Sequence, residues 1–322
     1  MSTPAPFRMR RRLVLAKIET EYGTDAAPTV GANAILCRSV TVSPLAGEYP
    51  SRDLLRPYYG NSPVLPAEKH VELQLEVELA GSGAAGTAPA WAPLIRACGF
   101  AEAVTASTKV DYTPVSTGES SITVWIHRDG ILHKFTGGRG SMQISLSKNA
   151  IPTLSFNFLG LIGEAAITDV VMPSSGIDYT GWKTPMVVST DNTTEVQVLN
   201  SEATPIVLPW NQLDFDLGAE VIRAPLIGNS DIMIIDRQPS ATLIVQEPPL
   251  ATLNLYTKVT TSVLDAFAVT HGVGAGNIVA ITGPKVSCGQ IAEQDTQGLQ
   301  MLSLPLQFVP NLGNDEITIS VK

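Results

Sequence analysis

Apolar and polar residues alternate along much of the chain, and this alternation predicts β-strands. Successive side chains of a strand point to opposite faces, so a period of two gives one buried face and one polar face. The clearest stretches are residues 71–79, 121–126, 141–146, 153–158, 212–217 and 300–308. Glycines and prolines separate them, as expected for the turns of an antiparallel sheet.

Helical patterns are few. Residues 88–98 form one candidate, which Gly99 would end because glycine readily adopts the left-handed conformation that follows a helix. Residues 249–259 form the other, and their threonines weaken it. Together the patterns predict an all-β dominated fold, a β-sandwich or barrel, with one short helix in each unit.

The glycine cluster T-G-G-R-G-S at residues 136–141 raises the question of a phosphate-binding loop. Such a loop needs a lysine followed by serine or threonine at the start of a helix. Here Arg139 is followed by glycine, and the next residues alternate as a strand does. We therefore expect a turn between two strands and no ligand site.

The two halves of the chain repeat the same order of features. Each has a long loop containing Gly-Asn-Ser, at residues 60–62 and 228–230, then a strand, a helix, a hairpin with Thr-Gly and a final strand. A shared order of this kind predicts tandem duplication. We expect one β module with an N-terminal arm over residues 1–160 and a second, diverged β module over residues 161–322.

Each half also contains a connection far longer than the few residues that usually join two strands. These loops span residues 43–70 and 218–240, and both are rich in apolar side chains. The candidate contact residues are Leu54, Leu55, Tyr58, Tyr59, Leu226 and Ile227. An extended apolar loop on a compact domain predicts a partner surface, the alternative being that it folds back on its own domain.

Two of the predicted strands carry carboxylates on their polar face. In residues 71–79 these are Glu72, Glu76 and Glu78, and in residues 212–217 they are Asp214 and Asp216. The alternation sets them opposite a face of valine, leucine and phenylalanine. An ordinary solvated face is the alternative to a functional one.

Composition excludes several classes of function. The 322 residues include 30 acidic and 21 basic side chains, a formal net charge of −9, which argues against nucleic-acid binding through lysine and arginine. The 3 cysteines are widely spaced, which predicts neither a zinc site nor paired disulfides and fits a reducing cytoplasm.

Arginines at positions 8 and 10–12 form a basic arm, either solvated or docked on an acidic neighbour. The apolar run after them is too short for a signal peptide, and no stretch approaches a membrane span.

Signals for catalysis are weak. The 4 histidines form no metal-ligand spacing and are expected in turns or at the surface, and no G-x-S-x-G motif is present. Carboxylates two residues apart on one strand face do not differ in environment, so they make a poor acid and base pair for a glycosidase. We expect no enzyme, no cofactor and no metal.

Two segments resemble the tail tube proteins of long-tailed bacteriophages. The first is R-L-V-L-A-K-I-E-T-E-Y-G-T-D-A-A-P-T at residues 12–29, with its K-x-E-x-E-Y-G-T-D-x-x-P-T pattern. The second is A-P-A-W-A-P-L-I-R-A-C-G-F at residues 88–100. The resemblance extends along most of the chain and is sharpest over residues 12–160.

The resemblance implies a β-sandwich module whose strands join those of neighbouring subunits in a β-barrel around a channel. Rings of six such modules stack into a tube that delivers the genome. The apolar loops then become inter-ring contacts, and the acidic strand faces become the lining of the lumen. Because DNA is itself negative, an acidic lining lets the duplex pass without specific binding.

The resemblance also implies partners and a location. The partners are further copies of the chain, the tape-measure protein, the tail terminator and distal tail proteins, in a virion assembled in the host bacterial cytoplasm. The internal repeat adds that three chains supply the six modules, giving pseudo-sixfold symmetry, the alternative being six chains with an outward second half. Two other classes stay open, a carbohydrate-binding β-sandwich module of a tail or secretion tube and an extracellular glycosidase, which the missing signal peptide disfavours.

Overall fold

A computed structural model describes residues 6–163, 166–194, 196–200, 205–224 and 226–322. Strands dominate the described chain, and its two helices are short, so the all-β prediction is confirmed.

The elements up to residue 169 are β1 Arg12–Ile18, β2 Ala34–Ile35, β3 Cys37–Gly47, β4 Lys69–Glu78, α1 Ala92–Arg96, β5 Phe100–Thr105, β6 Lys109–Pro114, β7 Ile122–Arg128, β8 Ile131–Ser147, β9 Thr153–Leu161 and β10 Ile167–Asp169. Those that follow are β11 Val196–Val198, β12 Val207–Leu208, β13 Trp210–Asp216, β14 Ala219–Arg223, β15 Ile232–Arg237, β16 Ser240–Gln246, α2 Leu255–Thr260, β17 Asp265–His271, β18 Val279–Cys288, β19 Ala292–Thr296, β20 Leu299–Phe308 and β21 Thr318–Val321.

One antiparallel sheet runs through both halves of the chain. Its strands follow the order β3, β4, β9, β8, β13, β16 and β20. The halves meet where β8 pairs with β13, with Leu146 opposite Leu213. Among the described residues, β3 pairs only with β4 and β19 only with β20, so the sheet ends in two unpaired edges.

The strand order of the second half repeats that of the first. The strands β3, β4, β9, β8, β7 and β1 are neighbours in this order, and so are β13, β16, β20, β18, β17 and β11. α1 follows β4 in the chain, and α2 follows β16. Matching registers relate individual residues: Gly140 lies opposite Phe158, and Val286 lies opposite Phe308.

The core lies on the apolar face of this sheet. Leu73, Ile144, Phe156, Phe215 and Leu243 all point into it and are buried. A second layer contains β1, β2, β7 and β10 in the first half, while β5 and β6 join the second half by pairing β6 with β21. Both layers therefore cross from one half to the other.

Both helices are shorter than the sequence predicts. α1 covers only residues 92–96 of the predicted 88–98, because prolines 89 and 93 confine it to a single turn and Gly99, with φ +80°, ends it. α2 begins at Leu255, where the side chain of Asn254 accepts a hydrogen bond from the N–H of Thr257 at 2.9 Å. The extended backbone of Asn254, with φ −91° and ψ 90°, keeps the earlier residues out of the helix.

The predicted turn at residues 136–141 is wrong, because β8 continues through the glycine cluster. The ladder shifts register between Thr136 and Arg139, and Gly137 has φ +61°, as in a β-bulge. A Cβ on Gly138 would lie 2.8 Å from the carbonyl oxygen of Ile122, so the close approach requires glycine. The bulge redirects β8 from β7, which it leaves at Gly138, to β13.

The two long loops are β-hairpin arms rather than irregular loops. In the first arm, residues 48–68, the N–H of Arg52 donates to the carbonyl of Pro63 at 3.1 Å, and Leu65 donates to Pro50 at 3.0 Å. In the second arm, residues 219–237, β14 pairs with β15. Each arm joins two strands that are neighbours in the sheet, β3 to β4 and β13 to β16.

Candidate functional site

The predicted carboxylates of the two halves lie on one face of the continuous sheet. One cross-strand row contains Glu76, Ser155, Gln143 and Asp216, and the next contains Glu78, Thr153, Ser145 and Asp214. Glu72 lies on the same face of β4, one row beyond Gln74. Glu76 and Asp216 are three strand spacings apart, about 14 Å. We call this surface, which also includes Ser240, Thr242 and Gln307, the polar face.

Hydrogen bonds within the polar face orient the two aspartates. Asp214 accepts from the hydroxyl of Ser145 at 2.7 Å and also from the side-chain amide of Gln212. Asp216 accepts from the amide of Gln143 at 2.8 Å. Neutral donors thus satisfy both carboxylates and leave their negative charge uncompensated.

The glutamates are more open to solvent. Glu76 accepts from Ser39 at 3.3 Å and lies 3.7 Å from the guanidinium of Arg38. Glu72 lies 3.5 Å from His70. These contacts are long and exposed, so they hold the side chains weakly. The polar face is therefore acidic and accessible to solvent.

Arg139 lies at the end of the polar face, and its guanidinium is hydrogen-bonded to the second arm. Its guanidinium donates to the carbonyl of Ile232 at 2.8 Å and to that of Glu119 at 3.2 Å, and it lies 4.9 Å from the ring centroid of Tyr22. The N–H of Ile232 in turn donates to the hydroxyl of Tyr22 at 2.6 Å. The cation thus fastens the second half to the first.

The base of the second arm, by which we mean its paired strands β14 and β15, packs on its own chain. Ile232 is fully buried, and Arg223 at the other strand donates to the carbonyl of Lys69 at 2.6 Å. Where the arm joins the body of the chain, Arg237 forms a 2.6 Å ion pair with the buried Glu316 and donates to the carbonyl of Val115 at 2.9 Å. Most of these contacts lie on the first half of the chain rather than on the arm's own domain, so the arm folds back on its own chain but not on its own half.

The tips of both arms remain exposed. Leu55, Tyr59 and Ile227 are 104%, 107% and 107% exposed, respectively. The other predicted contact residues, Leu54, Tyr58 and Leu226, are also exposed. The six predicted contact residues are thus exposed at the tips of the arms, whereas Ile232 in the base of the second arm is buried.

Glu19 is a structural centre that the residue patterns did not reveal. Its buried carboxylate accepts four hydrogen bonds, from Ser121 at 2.6 Å, Thr123 at 2.7 Å and the N–H groups of Gly23 at 2.8 Å and Gly137 at 2.7 Å. It therefore joins the segment after β1 to β7 and to the bulge of β8. Its position in the K-x-E-x-E-Y-G pattern is the only sequence signal for this role.

The expectation of surface histidines is wrong for three of the four. His127, His133 and His271 are buried, and desolvation lowers the pKa of each. Nearby Lys134 lowers the pKa of His127 further, whereas the carbonyl of Met186 opposes the shift of His271. His127 and His133 lie within β7 and β8, and His271 is the last residue of β17, where its Nδ1 lies 2.9 Å from the hydroxyl of Thr193.

The cysteines are free thiols in the described structure. Burial raises the pKa of Cys37 to about 12 and that of Cys288 to about 11, and it raises the pKa of Cys98 as well. Within the described ranges, no group of three or more His, Cys, Asp or Glu residues is arranged to hold a metal ion. No described helix is long and apolar enough to cross a membrane.

A family model for phage tail tube proteins matches residues 9–207, more than half of the chain. The chain belongs to the phage tail tube protein family. A search of curated proteins found no match. Membership makes this chain a structural protein that self-assembles into the tube of a phage tail, within the virion.

The tail tube family match also bears on the elements described above. It covers Glu19, the glycine bulge, the first arm and all of β8, but it ends at residue 207, before β13. The junction between β8 and β13 thus joins the matched region to the part of the tail tube chain beyond it.

Proposed function

We propose that the chain forms stacked rings whose inner wall is the polar face, an acidic conduit for double-stranded DNA. The pairing of β8 with β13 carries this proposal, because it already joins two equivalent halves into one sheet. The same pairing between chains would close the sheet into a barrel. Closure would also remove the unpaired strand edges, which otherwise promote aggregation.

The two unpaired edge strands, β3 and β19, are equivalent to the two strands that pair at the junction between the halves, β13 and β8. β3 corresponds to β13, since β3 pairs with β4 and β13 pairs with the equivalent strand β16. β19 corresponds to the end of β8: Ala292 lies opposite Ser303, as Ser145 lies opposite Thr153. We therefore propose that β3 of one chain pairs with β19 of the next.

The intrachain junction defines a register for this contact. Asp214 is opposite Ser145, and through β16 and β4 its equivalent in the first half is Ser39. Ser39 would thus lie opposite Ala292 of the neighbouring chain. The guanidinium of Arg12 now donates to the carbonyl of Val40 at this edge, and the incoming strand would replace that bond.

A ring built in this way contains three chains and six modules, with pseudo-sixfold symmetry. The modules are the duplicated halves 1–160 and 161–322, although β10 belongs to the first by its pairing with β8. In this ring Glu72, Glu76, Glu78, Asp214 and Asp216 would face the lumen. Leu54, Leu55, Tyr58, Tyr59, Leu226 and Ile227 would contact the next ring.

The proposed role requires no catalysis, cofactor or metal. DNA would pass without specific binding, because the wall and the phosphates carry like charges. Tape-measure, terminator and distal tail proteins would meet the tube at its ends or inside it, in tails assembled in the host cytoplasm.

Disulfide trapping tests the ring directly. The double variant Ser39→Cys, Ala292→Cys would be made with Cys37 and Cys288 replaced by serine. The carbonyl of Val40 accepts from Arg12 at the free edge. We therefore expect Ser39 to take a non-hydrogen-bonded position toward a new strand, where Cα atoms are about 4.5 Å apart and disulfides form readily. Oxidised tubes should give covalent species that stop at three chains.

The controls separate the parts of the proposal. Ser39→Cys alone should give no ladder. A ladder ending at six chains would mean that six chains form a ring, and tubes without a ladder would exclude this edge pairing. If the unmodified chain forms neither rings nor tubes in electron micrographs, the proposed assembly itself is wrong.

A further inference from the structure

The second arm provides an internal template for where the first arm docks. Its base does not stay on its own half but crosses the β8–β13 junction onto the first half, where Ile232 is buried beside Arg139 and Tyr22. The first arm has the same place in its half, between β3 and β4. In the isolated chain it has no neighbouring half to cross onto.

The equivalent of Ile232 in the first arm is Val64. Counting from the Gly-Asn-Ser sequences at 60–62 and 228–230 aligns these two residues, and each lies on the strand that returns to the body. Ile232 is fully buried, whereas Val64 is 56% exposed. The same position is thus docked in one half and open in the other.

The equivalent of Arg139 in the second half is Lys285. Arg139 directly precedes Gly140, which lies opposite Phe158. Lys285 directly precedes Val286, which lies opposite Phe308. Each cation also comes shortly after a Thr-Gly sequence. Arg139 donates to the carbonyl of Ile232. Lys285 is a half-buried residue, and among the described contacts its ammonium has no hydrogen-bond or ion-pair partner. A cation is therefore present at the equivalent position, without its acceptor.

We infer that the base of the first arm docks on the second half of the neighbouring chain in the same ring, with the carbonyl of Val64 accepting from Lys285. This inference rests on the proposed ring. It assigns the two regions of an arm to different contacts, since the base would bind within the ring and the exposed tip would bind the next ring. Docking would bury Val64 as Ile232 is buried.

Photo-crosslinking in assembled tubes tests the docking site. With benzoylphenylalanine in place of Val64, irradiation should link two chains, and the linked peptide should contain Lys285. The same probe in place of Ile232 should link to the Arg139 region of its own chain, which calibrates its reach. In place of Leu55 it should link elsewhere, because that residue is at the tip.

A second measurement covers the case in which the probe at Val64 prevents assembly. In cryo-electron microscopy of unmodified tubes, the Nζ atom of Lys285 should lie at hydrogen-bond distance, about 3 Å, from the carbonyl oxygen of Val64 in the adjacent chain of the ring. Lys285→Ala should raise the critical concentration for assembly roughly tenfold, as expected for one charge-assisted hydrogen bond. Lys17→Ala, at an exposed position of β1, should leave it unchanged.

The outcomes distinguish this inference from the ring proposal. Tubes in which Val64 links to another region, or lies far from Lys285, would overturn the inference and leave the ring intact. An equal effect of the two lysine variants would also overturn it. If the unmodified protein forms no rings, both the ring proposal and the docking inference are wrong.

Discussion

The carboxylate of Glu19 joins three segments that are far apart in the chain. Its four donors come from the turn at Gly23, from β7 and from the bulge at Gly137. A buried carboxylate is costly unless hydrogen bonds replace its water, and here they do. The bulge that directs β8 toward β13 thus depends on a residue near the N-terminus.

Replacing Glu19 should destabilise the fold. Glu19→Ala leaves the buried N–H groups of Gly23 and Gly137 without an acceptor, and each lost acceptor costs about 1–3 kcal/mol. We expect the free energy of unfolding, measured by urea titration of the soluble chain, to fall by roughly 3 kcal/mol. Glu19→Gln should recover part of the loss because one acceptor oxygen remains.

Glu21 supplies the matched control. It belongs to the same sequence pattern but is exposed. Glu21→Ala should change the free energy of unfolding by no more than about 0.5 kcal/mol. Equal effects of Glu19→Ala and Glu21→Ala would mean that the hydrogen-bond centre contributes nothing to stability.

At the scale of elements, the arms combine a packed base with an exposed apolar tip. Two-stranded hairpins are marginal in water, so each arm needs other contacts to be ordered. The second arm obtains them from Arg139, Tyr22 and Glu316. The exposed parts of the tip side chains contribute no burial free energy in the isolated chain. Full burial against another ring would contribute about 1.5–3 kcal/mol for each side chain.

Polar substitutions at the tip of the first arm should block stacking without unfolding the chain. In Leu54→Asp, Leu55→Asp, the changed side chains are exposed, so circular dichroism and the thermal midpoint should match those of the unmodified chain. Negative-stain electron microscopy should show no tubes. Val171→Asp, at a site 90% exposed outside the arms, should leave tubes normal. Normal tubes from the tip variant would refute the assigned inter-ring contact.

At the scale of the whole molecule, the polar face brings together carboxylates that lie more than 100 residues apart. Glu78 and Asp214 lie in one cross-strand row because β9 and β8 connect β4 to β13. Arg139, at the end of the polar face, is bound under the second arm. The face thus presents negative charge across both halves.

Charge reversal on the polar face should hinder DNA without preventing assembly. We choose Glu72→Lys with Glu78→Lys, which leaves the bonded Asp214 and Asp216 unchanged. The variant should form normal tubes, but phages carrying it should eject DNA slowly, because lysines attract phosphates. The delay should shrink as salt rises. Glu72→Gln with Glu78→Gln should eject at nearly the normal rate, and normal ejection by the lysine variant would exclude this face from the lumen.

Local patterns in the sequence determined the strands, the faces and the fold class. Period-two alternation identifies β4, β9 and β13 with their buried and acidic sides, since the pleat alone sets which face a residue occupies. The order of repeated features likewise anticipated matching strand orders in the two halves. Apolar content at Leu55 and Ile227 identified the arms as exposed surfaces.

Only the tertiary structure decided which strands are neighbours. Thr-Gly-Gly-Arg-Gly reads as a turn because glycine favours turns, yet close packing against Ile122 and Asn157 makes it a bulge within β8. Sequence alone did not reveal that this bulge leads β8 to β13, nor that Arg139 and Tyr22 hold the second arm, nor that three histidines are buried. These features depend on contacts between segments far apart in the chain, and local periodicity carries no information about such contacts.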